Sequence, residues 1–418
     1  MDTHGNASGH PVESWYFCYA LQGAVIAGLT PILLPVFVSR SSSSAVGFVM
    51  AAFSLGGLAA PVWGEVADKY RLHRAILVSG LLLTGAALAG FVYSASLAAW
   101  LCLAFLEGSG ASAAATVANL FIVENHPAAE WDRRIGWLQA FYGAGQVGGL
   151  LLAAGLAGGT GLLTAAGLSL LALAVAVWKA PAARAGVALR PVLRHPSRHP
   201  DWPAGSPQRA YHLTAAALAA GRRIVKSPFA ALLGAWMFGY AGATVVFSQY
   251  PVLMQNVFGV SPRLSSLGFG AAAALGLFLY TPAGRWADGF APPFVLEAGL
   301  AVRFGAIALL LTLIVVHRSG WLALTAFAII VLAWSLLSVS STALVARISP
   351  VGEGSGLGLF NAATAVAGVI GAAAGGWIAG RWGYRAALVF AAAAALVGLV
   401  GVIGSAKALR TSEPLPGA

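Results

Sequence analysis

Charge is scarce in this chain of 418 residues: only 9% of positions are Asp, Glu, Lys or Arg, and acids are rarer than bases, 13 against 24. With 59% hydrophobic residues and 52 Gly, so few charges cannot cover a soluble domain of this length, and that class is excluded. Cysteine is equally sparse. Cys18 and Cys102 both fall inside apolar runs, where the expected role is a small buried hydrophobe, and neither is assigned a function. There is no Gly-rich Lys loop for a nucleotide, no cluster with metal-ligand spacing, and no Ser or Cys nucleophile patterned with a His. Enzymatic chemistry, a metal site and a cofactor are therefore not expected, and any uphill work would have to draw on an ion gradient.

What fills the chain instead is apolar runs of roughly 20 residues, the length that crosses a hydrocarbon core. Twelve can be counted, at about 15–38, 45–67, 74–93, 96–123, 134–156, 160–179, 227–250, 264–287, 293–316, 320–348, 353–380 and 384–405. The reading is an all-α membrane protein of twelve transmembrane helices. The leader "MDTHGNASGHPVES" has no Lys or Arg, so the first run is expected to be retained as a helix and not cleaved as a signal.

Lys and Arg in alternate loops number eighteen on one side and five on the other, with Arg303 left inside a run. Positive loops stay inside, so both termini are expected in the cytoplasm. The same asymmetry, together with contact with anionic lipid, accounts for the net charge of +11 without any nucleic-acid partner. The stretch from Ala180 to Lys226, including "LRPVLRHPSRHPDWPAGSPQR", is the one polar interruption. His195 and His199 lack Cys or carboxylate companions beyond Asp201, so this segment reads as a solvated connector and not a metal site. It divides an N-terminal six-helix bundle, 1–179, from a C-terminal one, 227–418.

Displacing the sequence by 220 residues lays Pro31 on Pro251, Gly64 on Gly284, Ala67 on Ala287, Asp68 on Asp288, Gly136 on Gly356 and Gly148 on Gly368. Matches among Gly and Ala come cheaply in this composition, but a Pro and an Asp at the same offset do not. The pattern is a parallel duplication of a six-helix unit, which places a substrate site near mid-bilayer between the halves.

The stretch "GEVADKYRLHR", Gly64 to Arg74, then resembles the cytoplasmic loop signature of the major facilitator superfamily, G-x-x-x-D-[RK]-x-G-[RK]-[RK]. Gly64, Asp68, Lys69 and Arg74 match; Arg71 replaces the usual Gly, and Leu72 and His73 stand at usually basic positions. "GRWADG", Gly284 to Gly289, stands where that superfamily keeps a second copy, and "GGWIAGRWGYR" before the last run is also typical of it. The resemblance covers essentially the whole chain. It implies that Gly64, Asp68, Lys69, Arg74, Gly284 and Asp288 form a cytoplasmic gate. In this reading Gly64 permits close helix approach, and Asp68 accepts hydrogen bonds from neighbouring helix ends.

Substrate chemistry is expected among polar residues at mid-helix depth, where they are costly and face the bundle interior. Glu107, in "FLEGSGASAAA", is the first candidate. This segment is similar to a pattern of drug–proton antiporters, R-x-x-Q-G-x-G-A, with Ala104 at the Arg position and Glu107 at that of Gln. Either coupling is lost or Glu107 has taken a protonatable role; a neutral helix contact or a partner for a basic substrate are its rivals. "FYGAGQVGGLLLAAG" resembles the antiporter signature G-x-x-x-G-P-x-x-G-G, with Gln146 in place of Pro. Gln146, Gln22, Tyr240, Trp334 and Asn361 are further cavity candidates. Arg303 lies in the ninth run, peripheral in the superfamily, so packing or lipid snorkelling is expected of it in preference to an ion pair with Glu107.

A sparse, aromatic site with one acid suits an amphiphilic or weakly cationic organic solute. The expected activity is its export in exchange for protons, by a monomer in a bacterial inner membrane. Uptake of a small metabolite by proton symport is the alternative, and a receptor, flippase or assembly role on the same fold is a third.

Overall fold

The computed structural model describes residues 12–156, 158–180, 227–290, 292–316, 318–350 and 353–412. His195 and His199 of the connector lie outside them. The first crossing is shaped by its prolines. Helix α1 (Tyr16–Gly23) runs into a π-helical turn (Ala24–Leu29) and then α2 (Thr30–Val38). Pro31 and Pro35 have no N–H to return to the preceding turn, and the wider π turn accommodates the first of these gaps. The second crossing opens with α3 (Ser43–Gly57), where the Ser42 hydroxyl accepts from the Ala45 N–H, and breaks before Pro61 into α4 (Ala60–Tyr70).

Four longer helices follow: α5 (His73–Tyr93), α6 (Leu97–Asn125), α7 (Ala128–Ala153) and α8 (Gly158–Lys179). Beyond the connector come α9 (Pro228–Phe258), α10 (Pro262–Phe290), α11 (Pro292–Val315), α12 (Gly320–Ile348) and α13 (Glu353–Ser412). Among the described residues, ten stretches are long and apolar enough to cross a membrane. The last of them, Gly356–Ser405, has 50 residues, about twice what a bilayer needs, and Gly383 at φ 83° and ψ 171° divides it into two crossings. Helix α7 supplies the twelfth crossing; its 26 residues suffice in length, but Gln139, Gln146 and five glycines make it less apolar than the others.

Successive crossings alternate in direction, so residue 12 marks one end of the bundle, here called proximal, and the other end is distal. The apolar core is continuous at the distal end, where Leu34 and Val46 share one cluster with Val246, Tyr250 and Leu310. Towards the proximal end it divides. One cluster gathers Tyr16, Phe121 and Leu138, and a separate one gathers Phe229, Trp236 and Leu296. The helices before and after the connector are thus joined distally and parted proximally.

Glycine sets the closest approaches. A Cβ on Gly47 of α3 would collide with the backbone of Gly376 and the Ala372 carbonyl of α13, so these helices meet main chain to main chain. Gly145 and Gly149 of α7 lie in the same way against the carbonyls of Ala20 and Ala24. Gly64 does not play the expected part, because an added Cβ there would meet only Thr116 Cγ2 at 3.5 Å, an ordinary contact. Nor is Cys102 a buried hydrophobe: it is exposed on α6, whereas Cys18 is buried.

A polar clamp holds the proximal end of the first helices. Glu13 accepts from Trp15 Nε1 at 3.0 Å and Arg134 Nη1 at 3.1 Å and lies 2.7 Å from His126 Nε2. Arg134 Nε also donates to Glu130 Oε2 at 2.7 Å. The hydrogen bond from Arg134 holds the Glu130 carboxyl below its ordinary pKa. A depressed folded value stabilises the clamp above the unfolded value of about 4.3, and the contribution is lost as pH falls through the folded value. Amide exchange at residues 128–134 should therefore accelerate as pH drops below about 4, corrected for intrinsic exchange, and Glu130→Gln should remove most of that dependence.

Arg71 caps α4 in the left-handed region, φ 53° and ψ 38°, the one non-glycine residue at positive φ among the described residues. The superfamily signature places Gly at this position, and an L-residue there is disfavoured by about 1 kcal/mol. Arg71→Gly should raise the unfolding midpoint of the purified protein, with a gain of about 1 kcal/mol at most; an unchanged or lowered midpoint would mean that the guanidinium makes up the difference.

Candidate functional site

A cavity of about 280 Å³ lies at mid-depth between the two sets of helices. Gln146 of α7 reaches it from one set, and Tyr240, Thr244 and Phe247 of α9 from the other. Helix α10 contributes Phe269 and Tyr280, α11 contributes Arg303, and α12 contributes Trp334 and Ser335. Three of the six mid-helix candidates, Gln146, Tyr240 and Trp334, are thereby brought together.

The wall is largely aromatic and its rings hold one another. Tyr240 and Trp334 meet edge to face with centroids 5.9 Å apart, and behind them Trp236 stacks on Tyr240 at 6.0 Å. Trp236 is fixed by donating Nε1–H to Thr364 Oγ1 at 2.8 Å. Phe247 and Phe269 pack against Phe327, which stacks on Tyr250. Ser335 is turned out of the cavity's chemistry by donating to the Gly276 carbonyl at 2.9 Å.

Arg303 meets the packing half of its expectation and not the snorkelling half, and it adds a place in the cavity wall that the sequence did not suggest. It is 1% exposed, so it does not snorkel, and its guanidinium carbon stands 5.6 Å from the Trp334 ring centroid. Its Nε and Nη2 have no hydrogen-bond partner, and among the described residues no acid pairs with it. The available signal was that it is the one Arg in the middle of an apolar run; the peripheral rank of the ninth helix outweighed it.

Glu107 lies elsewhere, fully buried in α6. Its Oε1 accepts from Thr30 Oγ1 at 2.8 Å, while Oε2 has no partner. Gln22 joins the same interface by donating Nε2–H to the Ala111 carbonyl at 2.9 Å. The glycines flanking Glu107 are packing devices: Gly108 abuts the Phe53 carbonyl of α3, and Gly110 the Gly80 carbonyl of α5. Asn361 is exposed on α13, away from both groups.

Of the gate residues, the side chains of Asp68 and Asp288 lie outside the described residues. Lys69 stands 5.4 Å over the Tyr70 ring, and Arg74 donates to the Val177 carbonyl of α8. Nothing approaches Gly284 closely.

The distal seam is polar as well as tight. Ser43 Oγ and Tyr384 OH are 2.9 Å apart, Gln249 Nε2 donates to the Ser43 carbonyl at 3.2 Å, and Ser266 Oγ donates to the Leu150 carbonyl at 2.6 Å. Two sets of helices sealed at one end around a central cavity define the class: a helical membrane protein built to carry a solute across. The sequence matches the Major Facilitator Superfamily over residues 15–353 and 237–417, and the chain belongs to that family.

Solved structures agree on the fold. A mutant of the nucleoside transporter NupG is 12% identical, covering 94% of this chain and 98% of that one, with TM-score 0.77. A bacterial homologue of the human lysosomal transporter Spinster, inward-facing and unoccupied, is 15% identical over 97% and 98%, with TM-score 0.71. A D-xylose–proton symporter is 14% identical over 94% and 95%, with TM-score 0.67. At such identities the likeness concerns fold alone. No curated protein sequence matches the chain.

The seam can be tested directly. In a Cys102→Ser background, Ser44→Cys should react with maleimide faster once Gly47→Leu is added, because the larger side chain forces α3 from α13. Unchanged labelling would mean that the Gly47–Gly376 contact does not hold this end shut.

Proposed function

We propose that this protein is a secondary transporter that moves a small amphiphilic organic solute by alternating access, with residues 1–179 and 227–418 as the two units that rock about the cavity. The observation that carries this reading is the cavity itself, walled by Gln146 from one side and by Tyr240, Trp334 and Arg303 from the other. Rocking that opens the distal seam exposes the same walls to the opposite side. With the Lys- and Arg-rich loops in the cytoplasm, the proximal end is the cytoplasmic one, and the conformation faces inward. Lys69, Arg71 and Arg74 then sit at the parted mouth, where a gate would close.

A weakly cationic solute is disfavoured, since Arg303 is the one charge lining the cavity among the described residues and would repel it. Glu107 is the proton carrier in this scheme. It lies off the cavity but against the first crossing, and its unpartnered Oε2 leaves room for a proton as helices shift. Export against proton entry follows the antiporter-like segments of α6 and α7. Uptake by symport is the second reading, favoured by a fold shared with a D-xylose–proton symporter.

Purified protein in liposomes loaded with a pH-sensitive dye tests the scheme. Addition of amphiphilic aromatic solutes should move protons, outward solute gradients should change the sign of the signal according to antiport or symport, and Glu107→Gln should abolish it. Solute movement that proceeds without protons would remove Glu107 from the mechanism, and no movement of any solute would remove transport.

A further inference from the structure

The buried guanidinium of Arg303 has no counter-ion among the described residues, although a cation at this depth is costly unless it is paired. We propose that Arg303 is the receptor for the carboxylate of a monoanionic, aromatic solute whose ring occupies the cavity between Tyr240, Phe247, Phe269 and Trp334. This inference rests on the reading of the cavity as a solute site and names the class of solute.

Three features lead there. First, the two unpartnered nitrogens, Nε and Nη2, form one edge of the guanidinium plane, and this edge takes both oxygens of a carboxylate in parallel hydrogen bonds. Second, Trp334 lies over the guanidinium and holds its plane, so the fork is oriented before the ligand arrives. Third, the cation stands alone. Among the described residues no Lys or second Arg lines the cavity, so a single negative charge is matched, whereas a phosphate monoester would keep one charge uncompensated.

The remainder of the wall suits a flat apolar body. Phe247 and Phe269 line it with ring centroids 6.1 Å apart, and the cavity volume accommodates one or two fused rings but not a large amphiphile. Arg303 lines the cavity, but its Nε and Nη2 have no solvent access in this conformation, so neighbouring side chains must move before a carboxylate engages them. Glu107 does not compete for the guanidinium, because its carboxylate is held by Thr30 on the other set of helices.

Calorimetric titration of the purified full chain with 2-naphthoate, 2-naphthamide and 2-naphthylmethylammonium isolates the charge while the ring stays constant. The naphthoate should bind at least about tenfold more tightly than the amide, and the ammonium should bind more weakly than either. Arg303→Gln should remove the preference without weakening the amide. Arg303→Lys, which keeps the charge and loses the fork, should retain part of it, and both variants should elute from size exclusion as the unaltered protein does. A preference for naphthoate that survives in Arg303→Gln overturns the assignment. Equal binding of all three compounds to the unaltered protein overturns it too while leaving the cavity a solute site; binding of none overturns the cavity reading with it.

Discussion

Main-chain contact between glycine-rich helices is the constraint on which the rest of this protein depends. In hydrocarbon, apolar side chains gain nothing by leaving lipid for protein, so helices associate through close packing and the few polar contacts that such packing allows. At the distal seam, Gly47 and Gly376 bring α3 and α13 near enough for Ser43 to meet Tyr384, while Gln249 of α9 donates to the Ser43 carbonyl. At α7, Gly145 and Gly149 do the same for the first crossing. Because the main-chain contact of Gly47 with Gly376 joins the two sets at the distal end, the core is shared there and divided at the other, and the cavity occupies the level at which the two sets begin to part.

Much of this was legible in the sequence because the bilayer restricts what a chain can do. Run length and loop charge required twelve crossings, and only the Gly383 kink and the less apolar α7 hide two of them from a count of long apolar helices. Gln146, Tyr240 and Trp334 could be picked out because polar and aromatic groups at mid-depth face inward. The packing of Arg303 was within that logic, but its place in the cavity wall was not, because helix rank says where an axis runs and not where a side chain as long as Arg ends. Its burial is a property of the packing between α11, α9 and α12. The close-approach role expected of Gly64 likewise fails for a geometric reason, since no backbone comes near that face of α4.

The charged stretch after α4 keeps the superfamily outline with one local alteration. Arg71 takes up the left-handed cap that glycine would occupy without strain, and Arg74 is drawn to the end of α8. The loop is thus both a turn under conformational load and an anchor between two neighbouring crossings. A gate built this way would be expected to move with α8, and not as a free loop.

The π turn between Ala24 and Leu29 affects the first crossing beyond the accommodation of a proline. Gln22 and Thr30 both face α6, one bonding Ala111 and the other Glu107. In an uninterrupted α-helix, positions eight residues apart stand about 80° apart around the axis. The π turn advances less per residue and brings Thr30 back in line with Gln22. The hydrogen bond on Glu107 is therefore a matter of angular phase: the same side chains in a regular helix, with every other contact preserved, would leave the threonine pointing past the carboxylate.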